Sequence, residues 1–133
     1  MNSAAKDMVT ILAGISGLSL TAGTNLFYSR MPDSPQKVVT VYDTGGTPMT
    51  FLNDNTDIYH FSGVNIQVRD VTYDGAYDLA MQILEALHGK TGDVVGTTLY
   101  TLIKAADEPT LLHYDENDRP VISTNYDVQR RNT

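Results

Sequence analysis

Apolar side chains recur along this chain with two different periods, and the places where one gives way to the other mark out its elements. Ala5, Met8, Val9 and Leu12 fall at helical spacing behind Asn2 and Ser3, either of which can cap, and Gly14 stands where a helix would stop, so a short helix is predicted over residues 3–13. A second, better-signalled stripe runs through Ala76, Ala80, Ile83, Leu84 and Leu87. It follows Asp70 and Thr72 as candidate caps, gathers acids early at Asp74 and Asp78, and closes at His88-Gly89.

Between and after these stripes the period falls to two. From Ile58 to Arg69, Val64, Ile66 and Val68 alternate with Asn65, Gln67 and Arg69, the pattern of a half-buried strand. Leu26 to Arg30 and Val38 to Tyr42 read as two strands separated by Met31-Pro32-Asp33-Ser34-Pro35, and a hairpin-like pair is expected of them. Thr97 to Lys104 and Thr110 to Tyr114 are dense in β-branched and aromatic residues, with a break at Asp107-Glu108-Pro109. The last strand, Val121 to Arg130, alternates Ile122, Thr124, Tyr126 and Val128 against Ser123, Asn125, Asp127 and Gln129, which predicts one covered and one wet face.

Two stretches lack either period. Residues 15–24, rich in Gly, Ser and Thr but anchored by Ile15, Leu18 and Leu20, read as a packed connector. Residues 43–57 carry the breakers Gly45, Gly46 and Pro48 and the polar run from Asn53 to Asp57, so a flexible loop is expected there. The order αβββαβββ predicts an α+β fold: an antiparallel or mixed sheet with two helices packed on one face. With 133 residues the whole chain, 1–133, is expected to form a single domain.

Composition narrows what such a domain can do. Apolar residues make up 41% and charged residues 19%, ordinary values for a chain that folds. The absence of cysteine excludes a disulfide framework and thiolate chemistry, and leaves the compartment open. The apolar run from Met8 to Leu20 is interrupted by Thr10, Gly14, Ser16, Gly17 and Ser19 and is shorter than the roughly 20 residues of a bilayer span. It also lacks a basic opening, so no membrane association and no export are expected. A net charge of −7 argues against tight nucleic-acid binding, which needs clustered Lys and Arg. Between Thr47 and Val95, Asp54, Asp57, Asp70, Asp74, Asp78, Glu85 and Asp93 face only Arg69 and Lys90; this suits a solvated face, or a wall that DNA slides past.

The search for chemistry comes up short. His60, His88 and His113 are the only histidines, and none are spaced as metal ligands. His88 suits a helix C-terminus. Asp115-Glu116-Asn117-Asp118 lacks the glycine and terminal glutamate of a calcium loop and reads as a turn. Gly45-Gly46 is followed by no phosphate-binding signature, and Gly14-Ile15-Ser16-Gly17 misses the spacing of a nucleophile elbow. Asp70 and Asp74 are accounted for by capping and the helix dipole. No catalytic, cofactor-binding or metal-binding residue is assigned, no cofactor is expected, and the protein is not expected to be an enzyme.

Three segments in order carry a resemblance. Val64 to Asp70 followed by Thr72-Tyr73-Asp74-Gly75-Ala76-Tyr77-Asp78 and Leu87-His88-Gly89 resembles the minor capsid family of long-tailed bacteriophages described as tail terminators. Phe27 to Asp33 with Val41 to Gly46 resembles that family's first strands, and Glu108-Pro109 through Asp115-Glu116-Asn117 to Asn125-Tyr126 its closing hairpin. The resemblance implies a virion protein assembled in the host cytoplasm that forms a homo-oligomeric ring, commonly a hexamer, at the head-proximal end of the tail. There it would cap the tail tube, stop its polymerisation and meet the head-tail connector or head completion protein, with DNA only passing through the lumen. A head completion protein or a tail tube subunit is the alternative. A small sheet with exposed edges is compatible with ring assembly, since a neighbouring subunit can cover them.

Overall fold

The computed structural model of the chain describes residues 1–52 and 57–133. Two 13-residue strands, β4 (Asp57–Arg69) and β8 (Pro120–Asn132), form its centre, paired antiparallel in unbroken register from His60↔Arg130 to Arg69↔Val121. β2 (Val38–Asp43) and β3 (Thr47–Leu52) share the far side of β4 end to end, and β6 (Thr98–Ala105) and β7 (Thr110–Tyr114) share the far side of β8 in the same way. β1 (Leu26–Tyr28) extends the sheet beyond β2, and β5 (Asp93–Val95) extends it beyond β6. The sheet thus has two rows, β1-β2-β4-β8-β7 and β3-β4-β8-β6-β5, which share the central pair.

Both helices lie over one face. α1 (Ala4–Ala13) is capped by Ser3, whose Oγ accepts from the Lys6 N–H at 3.2 Å, and ends at Gly14. α2 (Tyr73–Leu87) is capped by Thr72, whose Oγ1 accepts from the Gly75 N–H at 3.1 Å, and its C-cap is His88. Met8, Leu12, Leu79, Ala80, Ile83 and Leu87 from the helices meet Val39, Val41, Val64, Ile66, Val68, Ile122, Tyr126 and Val128 from the sheet in one buried cluster. Each large side chain in it contributes about 1.5–3 kcal/mol by leaving water. Because the sheet period is two, this cluster also sets the β4-β8 register: a one-residue slip would turn every one of these strand residues outward. No helix among the described residues is long and apolar enough to cross a membrane.

The α+β class and the placement of the helices agree with the sequence pattern, while four local expectations do not. β1 and β2 are parallel, with Leu26 beside Val39 and Tyr28 beside Val41, rather than a hairpin. β1 ends at Tyr28 because Ser29 has a φ of 62°, and residues 29–37 then run back across the helix-free face instead of turning tightly. The expected loop over residues 43–57 contains a strand: β2 reaches Asp43, Thr47–Leu52 pairs with β4, and Asp57 opens β4, while residues 53–56 lie outside the described residues. Pro48 is accommodated because β3 is an edge strand with a register shift between Thr47 and Thr50. β5 was not expected, since three residues between Gly92 and Gly96 are too few to show an alternation. The resulting order is one helix and four strands, repeated.

Gly46 allows β3 to follow β2 along the same side of β4. Its φ is 76°, and a Cβ there would run into the backbone of Phe61, Ser62 and Gly63, whereas at Gly45, with φ 89°, a Cβ would meet nothing within 4 Å. Both alanine substitutions carry the left-handed backbone cost of about 1–2 kcal/mol, and Gly46→Ala carries the clash as well. In urea unfolding Gly46→Ala is expected to lose clearly more stability than Gly45→Ala; equal losses would mean that this close approach does not hold the turn.

Candidate assembly surface

Charged and hydroxyl groups collect in two places, and in both they fasten the fold. Under α1, Asp7 is 1% exposed, and its Oδ2 accepts from the Tyr100 hydroxyl at 2.6 Å. Asn2 Nδ2 donates to Asp7 Oδ1 at 3.1 Å, and Arg130 Nη1 donates to the Asn2 carbonyl at 2.7 Å and to the Tyr100 hydroxyl at 3.4 Å. Arg130 Nε reaches Ser62 Oγ at 3.2 Å. Burial, reinforced by the bond to Asp7, pushes the Tyr100 phenol well above its ordinary pKa, so it stays a donor. An acid beside a tyrosine and an arginine could suggest proton transfer, but these groups are buried and spend their bonds on one another.

On the opposite face a second cluster straps residues 29–37 to the sheet. Arg69, 3% exposed, donates through Nη2 to the Pro35 carbonyl at 2.6 Å and through Nε to the Gln36 carbonyl at 3.2 Å. Arg119 bridges Asp33 Oδ1 at 2.9 Å and Asp115 Oδ2 at 2.8 Å, tying the strap to the β7-β8 turn. The Ser34-Pro35 peptide bond within the strap is cis. Burial works against the Asp115 charge, but hydrogen bonds from the Arg119 backbone and guanidinium and from the Asn117 N–H hold its carboxyl below the usual aspartate range.

The residues singled out in the sequence are scattered by the fold. His60 sits on β4, where burial and then the nearby Arg130 and chain terminus lower its pKa and favour the neutral ring. His88 Nδ1 accepts from the Ala105 N–H at 3.0 Å at the end of α2, and His113 is exposed on β7. No group of three histidines or acids among the described residues could hold a metal. Asp115 Oδ1 accepts from the Asn117 and Arg119 N–H groups, so the Asp115-Asp118 run is a turn held by its own first residue. Asp70 Oδ1 accepts from the Val71 N–H at 2.7 Å beside the Thr72 cap. The sequence reading missed both polar clusters; the one signal for the first was an acid, Asp7, among the apolar positions of the first helix.

What the fold offers to partners is its outside. Asp74, Asp78 and Glu85 stand exposed along α2, where Tyr73 and Tyr77 stack at 5.9 Å. Across the helix-free face, Asn65 Nδ2 donates to Ser123 Oγ at 2.7 Å and to Asn125 Oδ1 at 3.0 Å, and Gln67 Nε2 donates to Asn65 Oδ1 at 2.9 Å. Below this ladder an open groove of about 440 Å³ runs between Phe61, Leu102, Lys104, Asp127 and Gln129. All five residues of β7 are exposed, among them Leu111, Leu112 and Tyr114. Three large apolar residues exposed among the five of an edge strand make it a candidate contact surface.

Comparison with known proteins agrees with an assembly role. The sequence model of a family described as bacteriophage tail terminator protein matches residues 5–132. Among solved structures, a chain in the virion of a native gene transfer agent particle superposes with a TM-score of 0.58 at 16% identity, covering 78% of this chain and 77% of that one. This is a likeness of fold. No curated protein sequence matches the chain.

Two buried tyrosines separate fastening from filling. Tyr100 donates to a buried carboxylate, whereas the Tyr126 hydroxyl has no hydrogen-bond partner among the described residues. Tyr100→Phe leaves Asp7 short of a donor and is expected to cost about 1–3 kcal/mol of unfolding free energy, while Tyr126→Phe is expected to be neutral or stabilising. Chemical denaturation of the two variants measures this; a reversed order would contradict the fastening role of the Asp7 cluster.

Proposed function

Because the chain belongs to the bacteriophage tail terminator family, with the match running over residues 5–132, we propose that it ends the tail tube as a ring of copies and joins the tail to the head. Membership makes it a structural protein of a phage tail. The finer reading is that six copies close on the last ring of the tube, halt its growth, and present their other surface to the head-tail connector or head completion protein. Virion DNA passes through the lumen without being held, in keeping with the net charge of −7.

One observation carries this reading: a family match along nearly the whole chain, on a subunit whose polar clusters are engaged in holding the fold. Asp7, Tyr100 and Arg130 are occupied with one another, as are Arg119, Asp33 and Asp115, and we read the protein as non-enzymatic on that basis. The apolar edge at β7 supports assembly with other chains.

Tube length tests termination. Tail tubes polymerised without the protein are expected to overgrow, and adding purified protein during growth is expected to stop elongation and leave tubes that accept heads. Tubes of unchanged length distribution with and without the protein would overturn the reading.

A further inference from the structure

The outer strands β1, β3, β5 and β7 differ in what they leave open. The outer side of β1 is taken by Ala22, which bridges Leu26 in parallel, and by the Gly23 N–H, which donates to the Leu26 carbonyl at 2.9 Å. β3 carries Pro48, which has no N–H to give a further strand, and β5 is only Asp93–Val95. β7 has neither defence. All five of its residues are exposed, Leu112 and Tyr114 by 50% and 52%, and its outer side pairs with no strand among the described residues. The register shift between Leu111 and His113 twists this edge without closing it. Val71 and Tyr73, both exposed, follow closely on Arg69, the partner of Val121, and so add apolar surface at the same end of the β4-β8 ladder.

Charge says what this edge accepts. Glu108 before the strand and Glu116 and Asp118 after it are exposed and enter no ion pair among the described residues. From Glu108 to Asp118 the chain has no Lys or Arg, and the next residue, Arg119, is committed to Asp33 and Asp115. A second β7 is therefore a poor occupant. Antiparallel pairing of two copies centred on Leu112 sets Glu108 of each against Glu116 of the other, and parallel pairing sets each acid beside its own copy; like charges opposite one another destabilise a strand pair. The apolar middle attracts a strand, and the acids at both ends select which one.

We propose that β7 is the docking edge for an extended strand of a different protein, apolar at its centre and carrying Lys or Arg at both ends, which joins the sheet as the neighbour of β7. Main-chain hydrogen bonds to the open edge would supply affinity, and the two acidic ends would fix which segment binds. The proposal rests on the chain's place in a tail assembly and not on the ring: it concerns what the subunit holds, whatever the number of copies. It also gives the exposed Leu111, Leu112 and Tyr114 a cover, without which such an edge invites uncontrolled pairing.

The test uses the free, full-length protein and two synthetic peptides as long as the stretch from Glu108 to Glu116. Both alternate Val and Thr; one has Lys at each end, the other Glu. Titrated into isotopically labelled protein and followed by amide NMR, the Lys-ended peptide is expected to shift the Thr110–Tyr114 amides and slow their exchange. It is expected to bind about tenfold or more tighter than the Glu-ended peptide at low salt, with the gap closing as salt is raised. Glu108→Lys with Glu116→Lys, both at exposed positions, is expected to reverse the preference. Equal binding of the two peptides, binding of neither, protection away from β7, or an unchanged preference in the double variant overturns the proposal. So does concentration-dependent self-association of the wild-type protein that Leu112→Asp abolishes, because the occupant is then a second copy. None of these outcomes depends on tube length, so termination and this docking edge stand or fall separately.

Discussion

The ladder between β4 and β8 holds the other parts of this subunit in relation to one another. It is the one element that belongs to both rows of the sheet, and its ten consecutive partners from His60↔Arg130 to Arg69↔Val121 leave no freedom to slide. Val64, Ile66 and Val68 on one strand and Ile122, Tyr126 and Val128 on the other put the apolar half of the ladder under both helices. Each polar cluster is also anchored to it: Arg130 at one end draws in the chain start and α1, and Arg69 near the other end receives the strap. Shifting the ladder by one residue would therefore expose the core and detach both arginines from their partners.

These arginines illustrate how the chain uses charge. Each is nearly buried and donates hydrogen bonds to backbone carbonyls from distant parts of the sequence, Asn2 for Arg130 and Pro35 for Arg69. Removing a partner from such a group costs far more than an exposed ion pair is worth, so they serve to define one arrangement of the chain. The charges free to act on other molecules are the exposed ones, such as the acids of α2 and those that flank β7. A structural protein of a phage tail works through surfaces of this kind, where assembly depends on what its neighbours can cover.

Much of the fold was legible in the sequence, because period and capping are local signals. Val64 to Arg69 and the stripe from Ala76 to Leu87 are long enough to show their period, and Thr72 and Ser3 cap where a hydroxyl before an apolar run should. What escaped was decided by contacts distant in sequence. The parallel course of β1 and β2 depends on Arg69 and Arg119 holding residues 29–37 across the sheet, 33 or more positions away. β3 was hidden by Gly45, Gly46 and Pro48, which read as loop until Gly46 is seen to lie against the backbone of β4. The surface that carries the assembly proposal was legible only in part, since Leu111, Leu112 and Tyr114 read as an ordinary strand until their exposure is known. Resemblance along three ordered segments pointed to the family, and a match over residues 5–132 established it.

The proposed function concerns position and number: a ring of copies that stops a tube would occur once per tail, at one end. Image reconstruction of the neck of intact particles tests this directly, with the subunit fold described here as the search object. The account predicts a single six-fold ring of this fold between the last tube ring and the head connector. Copies distributed along the tube, or none at the head-proximal end, would contradict it.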